Sequence, residues 1–366
     1  MVLVNNCVGI GLSPFYETQN VVSYDYPAKK RSDSHMENKI DTLVSYIKTL
    51  CAADIERIIS FVLGILSANQ QLPDRPNCPY CKDSNIIKYG HTKEKQRFFC
   101  HGCGKTFLYA TGTVMYNSHF SRSMWADFIR DTLTGETLDD SAGKFGFPHQ
   151  TAFNMRHKTL MALQDMLKKE PLILSGTVEL DETFVLDCYK GKPVPDQIGR
   201  SARKHGAKAT KRGLSSEQAA ICAGIQRDGA AVAETVNRAK PSSRELCEIF
   251  SAHIAEGTLV LTDGLRSYKK LEVATGCTVV NVNHEKGRGL FNLNVVNSMH
   301  SFIKDLYAHY RGVATKYINR YNVLFSIAFR CANNQAGTLF RSLCNIGNGN
   351  YWHSVQDIKK YNLVML

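Results

Sequence analysis

Apolar residues recur at helical spacing in several segments of the chain. The spacing predicts helices over residues 38–68, 123–133, 149–167, 242–254 and 294–309. Residues 1–35 show no such period and contain a short Lys29-Lys30-Arg31 run. We therefore expect a loose extension over 1–35, followed by a helical segment over 36–72.

Alternating or continuous apolar runs predict five strands, over residues 177–185, 219–226, 231–237, 258–262 and 278–282. Arg227-Asp228-Gly229, between the second and third runs, favours a hairpin. With the intervening helices, the order is strand, strand, strand, helix, strand, helix, strand, helix. This is the element order of a ribonuclease H-like fold, in which three antiparallel strands are followed by parallel ones.

Four of the 12 cysteines form a spaced pattern. Cys78-Pro-Tyr-Cys81 is followed 18 residues later by Cys100-His-Gly-Cys103. Two such pairs supply four thiolates for one tetrahedral Zn²⁺. Short strand-like runs between the pairs, over 86–89 and 97–99, complete the pattern of a zinc ribbon. The ribbon carries seven Lys and Arg against three Asp and Glu, which suits docking to DNA.

Two short helical patterns meet at a glycine-containing turn before residue 149. The first ends at Gly146, and Pro148 suits the first turn of the second. The second helix bears Asn154 and Arg156 among other polar residues, which makes both candidate DNA contacts. A DNA-binding helix-turn-helix is one interpretation, and a plain helical connector is the other.

The chain is basic as a whole. Lys and Arg total 45 against 33 Asp and Glu, which gives a net charge of +12. Residues 190–213 alone carry eight of these cations and one acid. The stretch is either a solvated loop or a clamp on the DNA backbone. As candidate contacts we take Arg203, Lys204, Lys208, Lys211 and Arg212.

Membrane spans and secretory signals are not expected. The longest apolar run, Ile58–Leu66, has nine residues, and the first 20 residues lack a basic region before an apolar one. A basic chain without either feature indicates either a polyanionic partner, most simply nucleic acid, or merely a basic surface.

Two aspartates are expected to meet in the predicted sheet. Asp181 lies midway along the first strand and Asp263 ends the fourth, and these strands are neighbours in a ribonuclease H-like fold. Adjacent carboxylates repel unless a cation neutralises them, and oxygen ligands favour two Mg²⁺ or Mn²⁺ ions. On the last predicted helix, Asn297 could supply a third ligand, and Lys304 lies two turns further along. That helix should bury Val295, Met299, Phe302 and Leu306, with Asn297, His300, Ser301 and Lys304 on its polar face.

These motifs resemble the DDE-type transposases of bacterial insertion sequences, and most closely their ISXO2-like group. The resemblance rests on Glu179-Leu180-Asp181-Glu182-Thr183, Leu261-Thr262-Asp263-Gly264 with Tyr268, Val282-Asn283-His284, and Asn294-Val295-Val296-Asn297 with Lys304. The run 317–330 is similar to the closing helix of that group. The similarity covers about residues 38–330.

The resemblance implies a reaction and a set of roles. An activated water would nick the DNA at the element end, and the freed 3′-hydroxyl would attack target DNA. Asp181, Asp263 and Asn297 would hold the two catalytic ions, Lys304 would contact the DNA end, and His284 would lie near the site. The ribbon and helix-turn-helix would recognise the terminal repeats, and the protein would act as a homo-oligomer on double-stranded DNA.

Asn297 departs from the usual third acid of this family. The position tolerates Asn in relatives, yet the change could also mark a decayed copy, and Glu285 is a weaker candidate for the missing carboxylate. An alternative is therefore a catalytically inactive or domesticated zinc-ribbon DNA-binding protein, and another is a different nuclease on the same fold.

The expected fold class is α+β multidomain, with a mixed sheet in the catalytic domain. The predicted order is loose extension (1–35), helical segment (36–72), zinc ribbon (73–112), helix-turn-helix (120–170), ribonuclease H-like domain (175–335) with its basic insertion (190–213), and C-terminal tail (336–366). We expect a cytoplasmic, nucleoid-associated bacterial protein.

Overall fold

The computed structural model describes residues 73–189, 213, 215, 217–227, 229–263, 266–282, 291–330, 339, 343–344 and 350–360. All of them belong to one compact unit. The expected extension and helical segment over 1–72 lie outside these ranges, as do residues 190–212 of the basic insertion, His284 and Glu285. Within the described ranges, no helix combines the length and hydropathy needed to cross a membrane.

The cysteine-rich segment folds as a small three-stranded antiparallel sheet. Its strands are β1 (Ile86–Thr92), β2 (Lys95–Cys100) and β3 (Thr106–Leu108). Phe98 and Phe107 pair across β2 and β3 and pack beside Cys78 and Cys100, which gives this sheet its own buried core. The sequence indicated the first two strands, but β3 has only three residues and too little pattern to predict.

Three helices follow the ribbon: α1 (Arg122–Thr134), α2 (Leu138–Phe145) and α3 (His149–Lys169). The hydroxyl of Thr137 accepts the backbone N–H of Asp140 and begins α2, while Gly146 ends it at φ 67° in the left-handed region that glycine tolerates. The predicted turn between α2 and α3 therefore lies at Gly146. The helices bury Trp125 and Phe128 in a shared apolar core.

The second half of the chain contains a five-stranded mixed sheet. Its strands are β4 (Thr177–Leu186), β5 (Gln218–Gln226), β6 (Ala231–Arg238), β7 (Leu259–Thr262) and β8 (Thr278–Asn281), in the spatial order β6-β5-β4-β7-β8. β4, β5 and β6 are antiparallel, whereas β7 and β8 run parallel to β4. These are the order and the directions that the element sequence predicted.

Helices cover both faces of this sheet. The short helices α4 (Ser243–Phe250) and α5 (Lys269–Thr275) bury Phe250 and Leu271 on one face. On the other face, α6 (Asn294–His309) and α7 (Ile318–Arg330) bury Met299 and Phe325. The bounds of α6 agree with the prediction, while α4 ends four residues early, at Phe250. The sheet is therefore the middle layer of three.

The outer edge of the sheet is covered by side chains of α7. Ser326 Oγ accepts the backbone N–H of Ala233, and Asn319 Oδ1 accepts that of Thr235. Asn319 Nδ2 donates in return to the backbone oxygen of Thr235. Side chains thus satisfy backbone groups of β6 that a further strand would otherwise bind.

The expected C-terminal tail over 336–366 is wrong for the residues that the structure describes there. Leu343 and Tyr351 are buried in the core that surrounds Trp125. Tyr351 donates its backbone N–H to the carbonyl oxygen of Gly112, and the Trp352 indole donates to the carbonyl oxygen of Tyr116. A final short helix, α8 (Val355–Lys359), follows. The apolar faces of α1 and α3 extend beyond the sheet, and this segment covers them.

Candidate active site and metal centres

Four thiols converge at one end of the ribbon. Cys78 Sγ lies 3.6 Å from Cys103 Sγ, Cys81 Sγ lies 3.5 Å from Cys100 Sγ, and all four sulfur atoms lie within 4.8 Å of one another. Four Zn–S bonds of ordinary length form a tetrahedron with an edge of about 3.8 Å. The arrangement is therefore compatible with a structural zinc ion.

The backbone around Cys78 favours its thiolate. Burial raises the pKa of this thiol, but the backbone N–H groups of Cys81 and Tyr80, together with the thiols of Cys103 and Cys81, more than offset burial and bring the pKa to about 7. The N–H of Tyr80 points at Cys78 Sγ at 3.4 Å. Zinc binds thiolates, and Cys78 is the ribbon cysteine whose surroundings favour that form, whereas the pKa values of Cys81, Cys100 and Cys103 are raised.

Alternation along β4 sends three acids to two faces of the sheet. The side chains of Glu179 and Asp181 point toward α6, where they meet Val296 and His300 respectively. Glu182 points to the opposite face and accepts a hydrogen bond from Tyr268. The period of two in a strand explains why neighbouring acids have different partners.

Asp181 and Asp263 lie on neighbouring parallel strands, as predicted. Asp263 follows the last residue of β7, and β7 pairs with β4. Burial raises the pKa of Asp181 to about 6, the backbone N–H of Glu182 opposes this, and the charge of Asp263 raises the pKa further. The neighbouring carboxylates of Asp181 and Asp263 are candidate ligands for a cation, which would relieve their mutual repulsion.

Helix α6 brings a cation and an imidazole to the same place. Lys304 lowers the pKa of Asp181, so its exposed ammonium lies within electrostatic reach of that carboxylate. His300 Nδ1 lies 3.8 Å from Asp181 Oδ2. Burial, assisted by the charge of Lys304, lowers the pKa of His300 to about 4, so the ring is neutral at neutral pH.

The buried stripe of α6 differs from the expected one by a small rotation. Val296, Met299, His300 and Ile303 are buried, whereas Val295, Phe302 and Leu306 are half-buried. His300 was placed on the polar face, and that placement is wrong: it is only 7% exposed.

Glu179 is a functional residue whose role the sequence did not reveal. Its fully buried carboxylate accepts the backbone N–H groups of Val295 and Val296 at 2.9 and 3.0 Å and the Nε–H of Arg227 at 2.8 Å. Arg227 also donates to the backbone oxygen of Asn292. Glu179 therefore holds the N-terminus of α6 against β4, two residues before Asp181. The sequence signal for this role is the position of Glu179 among the apolar residues of β4.

Asn297 is exposed on the first turn of α6, one turn before His300 and Ser301. Its backbone oxygen accepts the Ser301 hydroxyl at 3.2 Å. Among the described residues, the four cysteines are the one group of three or more His, Cys, Asp and Glu side chains that converges on a common point. The roles of Asp181, Asp263 and Asn297 as ligands of a catalytic cation therefore stay predictions.

The two predicted DNA contacts on α3 differ in their exposure. Asn154 is half-buried and accepts a hydrogen bond from Gln150. Arg156 is 1% exposed, donates to the backbone oxygen of Glu136 and stacks against Tyr310, so it belongs to the core and not to a DNA-facing surface. Arg156 thus connects α3 with Tyr310, the residue that follows α6. The other predicted contacts, on the basic insertion and at His284, lie outside the described residues.

The chain is similar to proteins of transposable elements. Residues 173–331 match the family model of the ISXO2-like transposase domain. An uncharacterized protein in transposable element ISH50 of Halobacterium salinarum is 24% identical over 257 residues, which cover 68% of this chain and 84% of that protein.

Similar solved structures include a pre-cleavage Mos1 transpososome, at 11% identity and a TM-score of 0.28, and a Mos1 strand transfer complex, at 12% identity and a TM-score of 0.26. Each covers 60% of this chain, with 76% and 75% of the Mos1 chains matched. At these TM-scores the likeness carries no argument of its own.

The match over residues 173–331 and the transposable-element relative support a DNA transposase of an insertion sequence, of the polynucleotidyl transferase type.

Proposed function

We propose that the protein cleaves the ends of its insertion sequence and joins them to target DNA, with Asp181, Asp263 and Asn297 as the ligands of the catalytic ions. The observation that carries this proposal is the approach of Asp181 and Asp263 on neighbouring strands, where their mutual repulsion helps to raise the pKa of Asp181. Carboxylate and amide oxygens suit Mg²⁺ and Mn²⁺.

Bound divalent ions would supply charge neutralisation and an activated nucleophile for in-line attack on a phosphodiester. Asp181 and Asp263 would hold the ions between two strands, and Asn297 would complete the ligand set from α6 without adding a negative charge. Lys304, exposed and within reach of Asp181, would hold the phosphate of the DNA end.

His300 would act as a neutral group beside the reacting centre. With its pKa lowered to about 4, the imidazole does not compete as a cation for the carboxylate of Asp181. It fills space next to that carboxylate and limits the movement of its side chain. Glu179 acts one step further away, because it fixes the helix that carries Asn297, His300 and Lys304.

The ribbon offers a surface for DNA. Ile87, Tyr89, Arg97 and Phe99 share one face of the ribbon sheet, opposite the buried Phe98. The Arg97 guanidinium lies 5.0 Å from the centre of the Tyr89 ring, and the rings of Tyr89 and Phe99 are 5.5 Å apart. Cations combined with exposed aromatic rings suit phosphates and bases together. A zinc ion in the adjacent cysteine site would keep this face rigid, and a homo-oligomer would pair two element ends.

A strand-transfer assay tests the proposal. A labelled DNA fragment containing the sequence that flanks the gene is incubated with the protein, plasmid target and Mg²⁺ or Mn²⁺. We expect joined product from the wild type, and none from Asp263→Asn, which keeps the size of the side chain and removes its charge. Glu248→Gln, a change of the same kind at an exposed residue of α4, is the matched control and should keep full activity.

A second candidate function, DNA binding without catalysis, is favoured by one observation: the third ligand position holds an exposed Asn where an acid is usual. Tight, salt-sensitive binding of the fragment with no cleavage or joining in either metal would establish this alternative.

A further inference from the structure

A side-chain hydrogen bond links the two segments that carry the paired aspartates. The hydroxyl of Tyr268 donates to Glu182 Oε1 at 2.7 Å. Tyr268 is fully buried, so the position of its ring is fixed by packing against residues such as Phe250. Glu182 directly follows Asp181, and Tyr268 lies five residues after Asp263.

The backbone ladder between β4 and β7 ends two residues before Asp263. It runs from Thr177–Leu259 to Glu179–Leu261. At the level of Asp181, β4 pairs with Ala223 of β5. β7 continues one pair further with β8, at Thr262–Asn281.

A side-chain hydrogen bond connects the chain to β4 again beyond the end of this ladder. A short 3-10 helix (Arg266–Tyr268) lies between β7 and α5. Its last residue reaches β4 on the face opposite α6, at the residue next to Asp181 in sequence. Asp263 thus lies between two connections to the sheet, the β7–β8 pairing before it and the hydrogen bond to Glu182 after it.

We infer that Glu182 and Tyr268 are positioning residues for the catalytic metal site, which set the separation of the Asp181 and Asp263 carboxylates. The inference rests on the proposed function, because it concerns the site proposed there. Neither residue needs to touch DNA or metal. A partner that orients metal ligands from behind commonly controls metal affinity by 10- to 100-fold.

The test compares Mn²⁺ affinity, measured by isothermal titration calorimetry on zinc-loaded full-length protein without DNA. Tyr268→Phe keeps the buried ring and removes only the hydroxyl. We expect Mn²⁺ to bind at least 10-fold more weakly, while Glu182→Gln, which keeps an acceptor oxygen for the hydroxyl, stays within about 3-fold of the wild type.

Tyr321→Phe is the matched control. Tyr321 is also buried, on α7, and its hydroxyl hydrogen-bonds with Arg156. This variant should lose a comparable amount of thermal stability and keep wild-type Mn²⁺ affinity. Equal affinity in Tyr268→Phe and the wild type would overturn the inference, as would equal weakening by Tyr321→Phe. Should Tyr268→Phe not fold, Glu182→Ala and Glu182→Gln decide: weakening by Ala alone supports the positioning role, and no weakening by Ala overturns it.

Failure of the inference is separable from failure of the proposed function. If wild-type protein binds Mn²⁺ and Asp181→Asn does not, the proposed site stands whatever Tyr268→Phe does. If wild-type protein does not bind Mn²⁺, the proposed site and this inference both fall.

Discussion

The buried carboxylate of Glu179 accepts the backbone N–H of Val296 at 3.0 Å, which joins the central strand of the sheet to the first turn of α6. The same carboxylate pairs with Arg227 at 2.8 Å. The strand that carries Asp181 and the helix that carries Lys304 are therefore fixed to each other by one side chain that takes no part in the chemistry.

Removing this carboxylate should be strongly destabilising. Glu179→Ala removes one acceptor of the Arg227 guanidinium and the acceptor of two helix N–H groups, and breaking a buried pair in this way typically costs about 3–5 kcal/mol. Urea unfolding measures the loss. The control, Glu248→Ala, breaks an exposed ion pair with Arg244 and should cost less than about 1 kcal/mol. Equal losses in the two variants would show that Glu179 does not hold the helix.

For protein without bound Mg²⁺ or Mn²⁺, the free energy of unfolding should fall as the pH rises from about 4 to about 7. The pKa of Asp181 is raised from 3.8 to about 6 and that of Glu182 from 4.5 to about 7, in both cases mainly by burial. Between the ordinary and the raised values, the folded state holds protons that the unfolded state has released, so the free energy of unfolding decreases with pH across this window and levels off above it.

Asp181→Asn tests this pH dependence. The variant should be more stable than the wild type at pH 8 by about 1 kcal/mol, after allowance for solvent screening, and the two should converge near pH 4. Thermal or urea unfolding in the presence of a chelator that leaves zinc bound gives the comparison. A wild-type stability that rises across the window would contradict the burial of these carboxyls.

Zinc content should depend on the four ribbon cysteines and on no other described thiol. We expect one Zn²⁺ per chain by elemental analysis, and a near-complete loss in Cys100→Ala, because a tetrahedral site with three thiolates binds far more weakly. Cys247→Ala removes a half-buried thiol of α4 and should leave the zinc content unchanged. Retention of zinc by Cys100→Ala would place the ion elsewhere.

Asn297→Glu should restore the third acid that the family usually carries. If Asn297 faces the catalytic ions, the new carboxylate increases Mn²⁺ affinity and keeps strand transfer, whereas Asn297→Ala loses most of the transfer activity. Ser298→Ala, at the neighbouring exposed position, is the control and should change neither property. Identical behaviour of the Asn297 and Ser298 variants would remove Asn297 from the site.

The sequence predicts an element correctly where the spacing of its apolar residues matches the face that the fold buries. The bounds of α6 and the meeting of Asp181 with Asp263 followed from apolar spacing and from the element order, since a strand or helix with one buried face shows that face in its sequence. The four cysteines could be found because a metal site requires fixed spacing.

The remaining features depend on contacts between distant parts of the chain. Arg and His side chains are usually found at the surface. Arg156 and His300 are nevertheless buried, because another helix or strand packs over them. Glu179 looks like one more acid beside Asp181, and its role depends on the place where α6 begins. None of these environments is encoded within a few residues of the side chain concerned.

The C-terminal segment has a consequence for synthesis of the chain. Tyr351 and Leu343 complete the core around Trp125, although they are made after the entire catalytic domain. The helical part that follows the ribbon therefore cannot close while the chain is still emerging from the ribosome. A copy that ends prematurely, even with every catalytic residue intact, will expose Trp125 and be a substrate for proteolysis, so that only a fully translated chain becomes a finished protein.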